Sequence, residues 1–293
     1  MTFGWKAASW ADEVRRHLDR LREGAPRWLV GQLGGGVGSL VFYGEQGPAV
    51  RARFCAELGL ADPGISWLSA RDRGAEFAQL LALVCGTLVR IGGEVYELQR
   101  PEIGELAEAS RPGTVGSITM PHKRNPESSE HLDTLARLAR ANAAVMVEAV
   151  AQQHERDGRG WKAEWVALPE TCLLATAALR ITIGLLTGLA VDAGAMRHNL
   201  DRYGGYPVSE RALALLTPRM GARRAQERLQ EVLGGGADAG LAAGQALVDA
   251  GLFSPEEARE LTAQPDTGSC QEMADLVVER ARAARAAEPG EWP

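Results

Sequence analysis

Three stretches of this sequence, about residues 73–98, 127–152 and 164–191, repeat apolar side chains every three to four positions, and that pattern dictates a bundle of long helices. The first carries Phe77, Leu80, Leu81, Val84, Leu88, Ile91 and Val95. The second carries Leu132, Leu135, Leu138, Val145 and Val150, and the third Leu168, Cys172, Leu179, Ile183 and Leu186. At 1.5 Å per residue such helices would be roughly 40 Å long, well above the globular average. In the third stretch, Leu173-Leu174 beside Ala177-Ala178 and the run 181–189 make more than one face apolar, which predicts packing on several sides and hence a homo-oligomer. An earlier stripe of Trp10, Val14, Leu18 and Leu21 is expected to end at Gly24-Ala25-Pro26.

Around residues 192–199 the pattern changes to short helices with Gly and Pro punctuation: Gly204-Gly205-Tyr206-Pro207, Gly234-Gly235-Gly236, and Ser254-Pro255-Glu256-Glu257, which has the form of a helix start. The expected class is all-α. A long-helix domain would span 1–195 with a loop at 111–126, and a small helical domain would span 196–293 with a frayed tail at 288–293. The turn Gly34-Gly35-Gly36-Val37-Gly38 has no preceding alternating strand, which argues against a dinucleotide fingerprint. A close helix–helix approach or a backbone-lined pocket wall is the expected use of these glycines.

The net charge of −6 speaks against a nucleic-acid partner, because the phosphate backbone is gripped by a basic face. Cys55, Cys85, Cys172 and Cys270 are far apart and form no C-x-x-C pair, so buried reduced thiols are expected rather than a disulfide framework or a zinc site. No apolar run approaches the roughly 20 residues needed to cross a bilayer. The start, Met1-Thr2-Phe3-Gly4, has no signal-peptide layout, so the expected compartment is the cytoplasm.

Between the first two long helices lies a polar, glycine-punctuated segment that ends at Asn125, Pro126 and Glu127, which suit the N-cap, first position and first turn of a helix. Such a loop feeding a helix N-terminus can gate an anionic substrate. Singly, each residue has an ordinary reading: Asn125 caps a helix, Ser117 sits in a turn, Lys123 is solvated. Together, Gly116-Ser117-Ile118-Thr119-Met120-Pro121-His122-Lys123-Arg124-Asn125-Pro126 resembles the signature loop G-S-S-x-M-P-x-K-x-N-P of the fumarase/aspartase superfamily, with Ile118 in place of the second Ser.

The resemblance implies a cofactor-free, metal-free enzyme built on a homotetrameric helical core. It places on Ser117 the base that removes a proton from the carbon beside a carboxylate. It makes Lys123 and Asn125, with Met120, the substrate ligands that stabilise the intermediate left after proton removal. Glu130 matches the carboxylate that pairs with a catalytic His. The likeness extends along the chain. Gln152-Gln153-His154-Glu155-Arg156, Trp161-Lys162-Ala163-Glu164-Trp165, residues 32–40 and residues 67–77 resemble most the bacterial 3-carboxy-cis,cis-muconate cycloisomerase branch, and the adenylosuccinate lyase branch shares the loop core. Arg156 is then a candidate anion contact.

Members of the superfamily assemble each site from three subunits, one motif from each. Thr2-Phe3-Gly4-Trp5-Lys6 is similar to a segment that follows the second motif, so this chain is expected to lack the N-terminal domain with the first motif and the acid-partner His of the second. Leu68-Ser69-Ala70-Arg71-Asp72 stands where relatives tend to have His-Thr-Gln-Arg-Asp, and Asp201-Arg202-Tyr203-Gly204-Gly205-Tyr206 departs from the usual Leu-Thr-x-Gly-Leu. Lost pocket polarity alters substrate choice. The implied function is therefore a cycloisomerase or lyase acting on a small carboxylate. The alternatives are a C–N lyase releasing fumarate from an adenylosuccinate-like or other N-substituted succinate, and a truncated or split chain that needs an N-terminal partner chain or is inactive.

Overall fold

The computed structural model describes residues 1–109, 119–120, 123–264 and 266–288, and among them the regular structure is helical apart from two short strands and a bridge between Val30 and Ala61. The helices are α1 (Phe3–Trp28), α2 (Gly47–Glu57), α3 (Asp72–Leu98), α4 (Glu127–Glu148), α5 (Gly158–Thr187), α6 (Ala193–Arg202), α7 (Ser209–Met220), α8 (Ala222–Asp238), α9 (Ala243–Asp249), α10 (Pro255–Ala263) and α11 (Cys270–Ala286). The strands β1 (Leu106–Ala107) and β2 (Ala190–Val191) pair with each other. The chain forms two compact units. One comprises Met1–Ala7, Leu98–Leu106 and Val191–Leu276, the other Ala8–Glu97, Ala107–Ala190 and Val277–Pro293.

The long-helix unit is held by small residues at seven-residue spacing. Ser129, Ala136 and Ala143, interleaved with Leu132, Ala139 and Met146, form the buried stripe of α4. Ala167, Thr171, Ala175, Ala178, Thr182 and Leu185 form that of α5. Ala75, Ala78 and Ala82 of α3 pack into the same cluster. A heptad repeat of this kind keeps one seam facing its neighbour along the whole helix. Thr171 and Thr182 are accommodated because their hydroxyls donate to the carbonyls of Ala167 and Ala178, at 2.7 and 2.8 Å. At Gly92 a Cβ would lie 2.9 Å from Leu132 Cδ1, so the close approach of α3 and α4 depends on that glycine.

These stripes differ from the expected ones. Of the α5 residues named from the sequence, Leu179, Ile183 and Leu186 are exposed, and so are Leu138 and Val145 of α4. Periodicity located the helices and the buried face of α3, where Leu80, Val84, Leu88, Ile91 and Val95 are enclosed, as is Leu132 of α4; in α4 and α5 several of the other large apolar side chains lie outside the seam. Boundaries differ as well. α1 continues through Pro26 to Trp28, and Gly24 leaves room for the Trp28 ring rather than ending the helix. α5 begins at Gly158, capped by Asp157, whose carboxylate accepts from the Arg159 amide at 3.0 Å. By length and composition α3 and α5 are both apolar enough to span a bilayer, although neither contains an unbroken apolar run of that length.

The smaller unit closes a core of its own. Ala212 and Leu216 of α7, Leu229 and Leu233 of α8, Leu247 of α9, Phe253, and Leu261 of α10 meet in one buried cluster. The glycines 234–236 do not interrupt α8; Gly236 faces α9, where a Cβ would come within 2.6 Å of Ala246 Cβ. Ser254 and Glu257 form the capping box expected of that helix start. Residues 98–106 join this unit through Asn199, whose side-chain amide donates to the Ile103 carbonyl at 2.8 Å.

Candidate active site

Ser117, the expected base, and His122 lie outside the described residues. Met120 and Lys123 are exposed, Asn125 is half-buried, and all three immediately precede α4. The Lys123 amide donates to the Met120 carbonyl at 2.9 Å, and Lys123 stands just ahead of the helix. Glu130 is exposed on the first turn of α4, its amide donating to the Pro126 carbonyl at 3.0 Å. The structure therefore gathers Met120, Lys123, Asn125 and Glu130 at one helix end.

Asn125 is not the cap of that helix. The N-cap position is Pro126, which has no side-chain acceptor, and the first-turn amides are satisfied from elsewhere in the chain. The Glu108 carboxylate accepts from the amides of Ser128 and Ser129, both at 3.0 Å, and from the Ser129 hydroxyl at 2.7 Å. Ser128 and Ser129 are buried. A carboxylate here meets the positive end of the α4 dipole as well as two amide donors. Nothing local in the sequence marks Glu108, since its partners are twenty residues away.

Arg156 is not beside these residues within one chain. It follows the far end of α4, and 22 helical residues put about 33 Å between the two ends. There its guanidinium donates to the Gly36 carbonyl at 3.2 Å and lies 4.9 Å from the centre of the Trp161 ring. The stretches that carried the branch resemblance converge at this end. Arg71 donates to both carboxylate oxygens of Glu164, with its Nε 2.8 Å from Oε2. The pair is almost fully enclosed, at 8% and 9% exposure. The Arg71 guanidinium also faces the Trp67 ring at 4.9 Å and the Trp161 ring at 5.8 Å. Trp161 Nε1 donates to the Leu68 carbonyl at 2.9 Å, and Trp67 Nε1 to the Gly31 carbonyl at 2.8 Å. The glycine-rich turn is approached by Ser66: a Cβ on Gly38 would meet it at 2.7 Å. The glycines thus serve a tight loop packing rather than a helix crossing.

A second polar chain runs between α1 and α3. Arg20 donates to His17 Nδ1 at 3.2 Å, which leaves Nε2 as the protonated nitrogen facing Thr87 Oγ1 at 2.7 Å; that hydroxyl in turn donates to Glu13 at 2.5 Å. Arg90 donates to the other Glu13 oxygen at 2.5 Å. Burial, followed by the Arg20 charge, pushes the His17 pKa below its ordinary value of 6.5. Burial raises the Glu13 carboxyl, but hydrogen bonds from Thr87 and Arg90 outweigh it and the net shift is downward. The four cysteines are unpaired thiols, three buried and Cys172 half-buried, and burial pushes Cys85 up to about 11.

Residues 1–140 match the family model described as Lyase. Over 230 residues the chain is 42% identical to an N-acetyl-S-(2-succino)cysteine lyase of Dickeya dadantii, covering 78% of this chain and 51% of the relative. It is 43% identical over 231 residues to a 3-carboxy-cis,cis-muconate cycloisomerase of Pseudomonas aeruginosa, covering 79% and 50%. The crystal structure of the 3-carboxy-cis,cis-muconate lactonizing enzyme from Pseudomonas putida superposes with a TM-score of 0.84 at 33% identity, over 97% of this chain and 64% of that one. The chain spans about half the length of the curated relatives it matches. With Met120, Lys123 and Asn125 at the head of a long helix in a fold shared with these enzymes, the chain belongs to the fumarase/aspartase superfamily.

Proposed function

We propose that this chain supplies the base-bearing loop of a lyase or cycloisomerase acting on a small carboxylated substrate. Ser117 is the base that takes the proton beside the carboxylate, while Lys123 and Asn125 hold the carboxylate as negative charge develops on it. Met120 contacts the substrate, and Glu130 sets the acid partner. The observation that carries this reading is the setting of Lys123 and Asn125 directly ahead of α4, in a chain 42–43% identical to enzymes named for carboxylate substrates. In the cycloisomerase version the proton moves the other way: a carboxylate oxygen of carboxymuconate bonds to one carbon of a double bond, and Ser117 returns a proton to the other carbon, giving a γ-lactone. The Dickeya relative favours a second version, in which proton removal expels a thiolate from a 2-succino thioether and leaves fumarate.

The exposed face of α5 supports assembly with further copies. Trp165, Leu173 and Ile183 are 65%, 71% and 65% exposed, an apolar surface of the kind that marks an interface. In an assembly whose copies run in opposite directions, Arg156 of one copy would approach the Lys123 end of another, reconciling the two ends of the long-helix unit.

The test is a turnover assay on the purified chain, following lactone formation from 3-carboxymuconate, fumarate with free thiol from the succino thioether, and fumarate from N-substituted succinates. Ser117→Ala should lower the productive reaction by about 10²–10⁴-fold. Activity that appears only when a chain carrying a general-acid His is added supports the split-enzyme form of the reading. A rate unaltered by Ser117→Ala overturns the assignment of the base.

A further inference from the structure

We infer that Glu108 is a positioning residue for the candidate site, holding the head of α4 so that Lys123 and Asn125 keep their places. The inference rests on the reading of Lys123 and Asn125 as substrate ligands. A helix begins with amides that lack intrahelical partners, and a Ser, Thr, Asp or Asn at the N-cap ordinarily serves them. Here the N-cap is Pro126, and a side chain from outside the helix takes over the task. Glu108 meets both the second and third amides of α4 and the Ser129 hydroxyl, using both carboxylate oxygens.

Two consequences follow. The Ser128 and Ser129 amides, two of those that the sequence offered as an anion seat, are already filled by an internal anion, so substrate recognition at this end rests mainly on side chains. The chain at 107–109 is also tied to the helix that residues 123–126 lead into. The first turn, Lys123 and Asn125 therefore depend on a charge twenty residues upstream. Glu127 supplies the contrast: it is an exposed carboxylate in the same first turn, offering charge to the same dipole.

The experiment is hydrogen exchange on the full chain, comparing wild type with Glu108→Ala, Glu108→Gln and Glu127→Gln, and reading peptides that cover 105–109 and 123–132. Glu108→Ala should speed exchange in both peptides by about five- to thirty-fold, since loss of a cap frays the first turn. Glu108→Gln should give a smaller change, because one acceptor remains. Acetate should restore protection in Glu108→Ala by refilling the emptied seat, while sodium chloride at equal ionic strength should not. If Glu108→Ala exchanges like wild type, or if Glu127→Gln accelerates exchange as much, the inference is overturned. These measurements need no turnover, so a wild-type chain inactive both alone and with an added chain carrying the general-acid His would sink the functional reading and leave this test standing. Where turnover is measurable, Glu108→Ala should lower kcat/KM about ten-fold or more with the folded fraction unchanged, and acetate should recover it.

Discussion

The two compact units solve the same problem, burying enough apolar surface, in opposite ways. The smaller unit folds its large side chains inward, so that Leu216, Leu247 and Phe253 meet in a closed core. In the long-helix unit α3 buries large side chains such as Ile91 and Val95, but α5 turns mainly alanines and threonines inward and leaves Leu173, Ile183 and Trp165 outside. A unit of the first kind is satisfied by itself. A unit of the second kind has made its internal seam tight and still presents an apolar face that needs cover. The difference teaches that a helix such as α5, with mostly small residues in its seam, closes that seam and still keeps an apolar face for a partner.

Breaking the apolar face should have the largest effect. Leu173→Arg combined with Ile183→Arg should convert an assembled form to single chains, read by sedimentation, because burying two unpaired charges costs several kcal/mol each. A monomeric wild-type chain would refute this half of the comparison. Glu164→Gln should destabilise the long-helix unit by about 3–5 kcal/mol in denaturant unfolding, since it strands the enclosed Arg71 charge. Leu247→Ala should cost about 2–5 kcal/mol in a manner independent of concentration, as expected of a closed core. Ile183→Ala should instead show its effect mainly through concentration.

The smallest expected effect is a pH dependence. His17 is held neutral in the fold, with its pKa below 6.5, so its contribution is present above pH 6.5 and is lost as pH falls through the lowered folded value. Unfolding free energies measured above and below pH 6.5 should therefore diverge in wild type and converge in His17→Gln.

Much of this was legible in the sequence, for reasons that particular residues make plain. The apolar period located α3, α4 and α5 because Leu, Ile and Val recur on helical faces whichever face is buried. It found the buried face of α3 but misjudged part of that of α4 and α5, because Ala136, Ala139, Ala175 and Ala178 carry little hydrophobic signal, yet they permit the close approach that selects the seam. The Ser254 capping box was readable because both partners lie within four residues. The Glu108 cap was not, because the residue that serves Ser128 and Ser129 is joined to them only in space. Likewise, the signature loop placed Lys123 and Asn125 at a helix start, while the separation of Arg156 from them emerged only once α4 had a direction and a length.

The heptad spacing of the α4 and α5 seams bears on how such a chain can change over time. Deleting one residue from either helix turns everything beyond it by about 100° and brings bulky leucines to positions that only alanine fits. Length changes in these helices are therefore tolerated in sevens, or in threes and fours where a local change of winding absorbs the error. Insertions and deletions among descendants of this sequence should collect in the connections between helices, and the long helices should keep their phase even where most of their residues have been replaced.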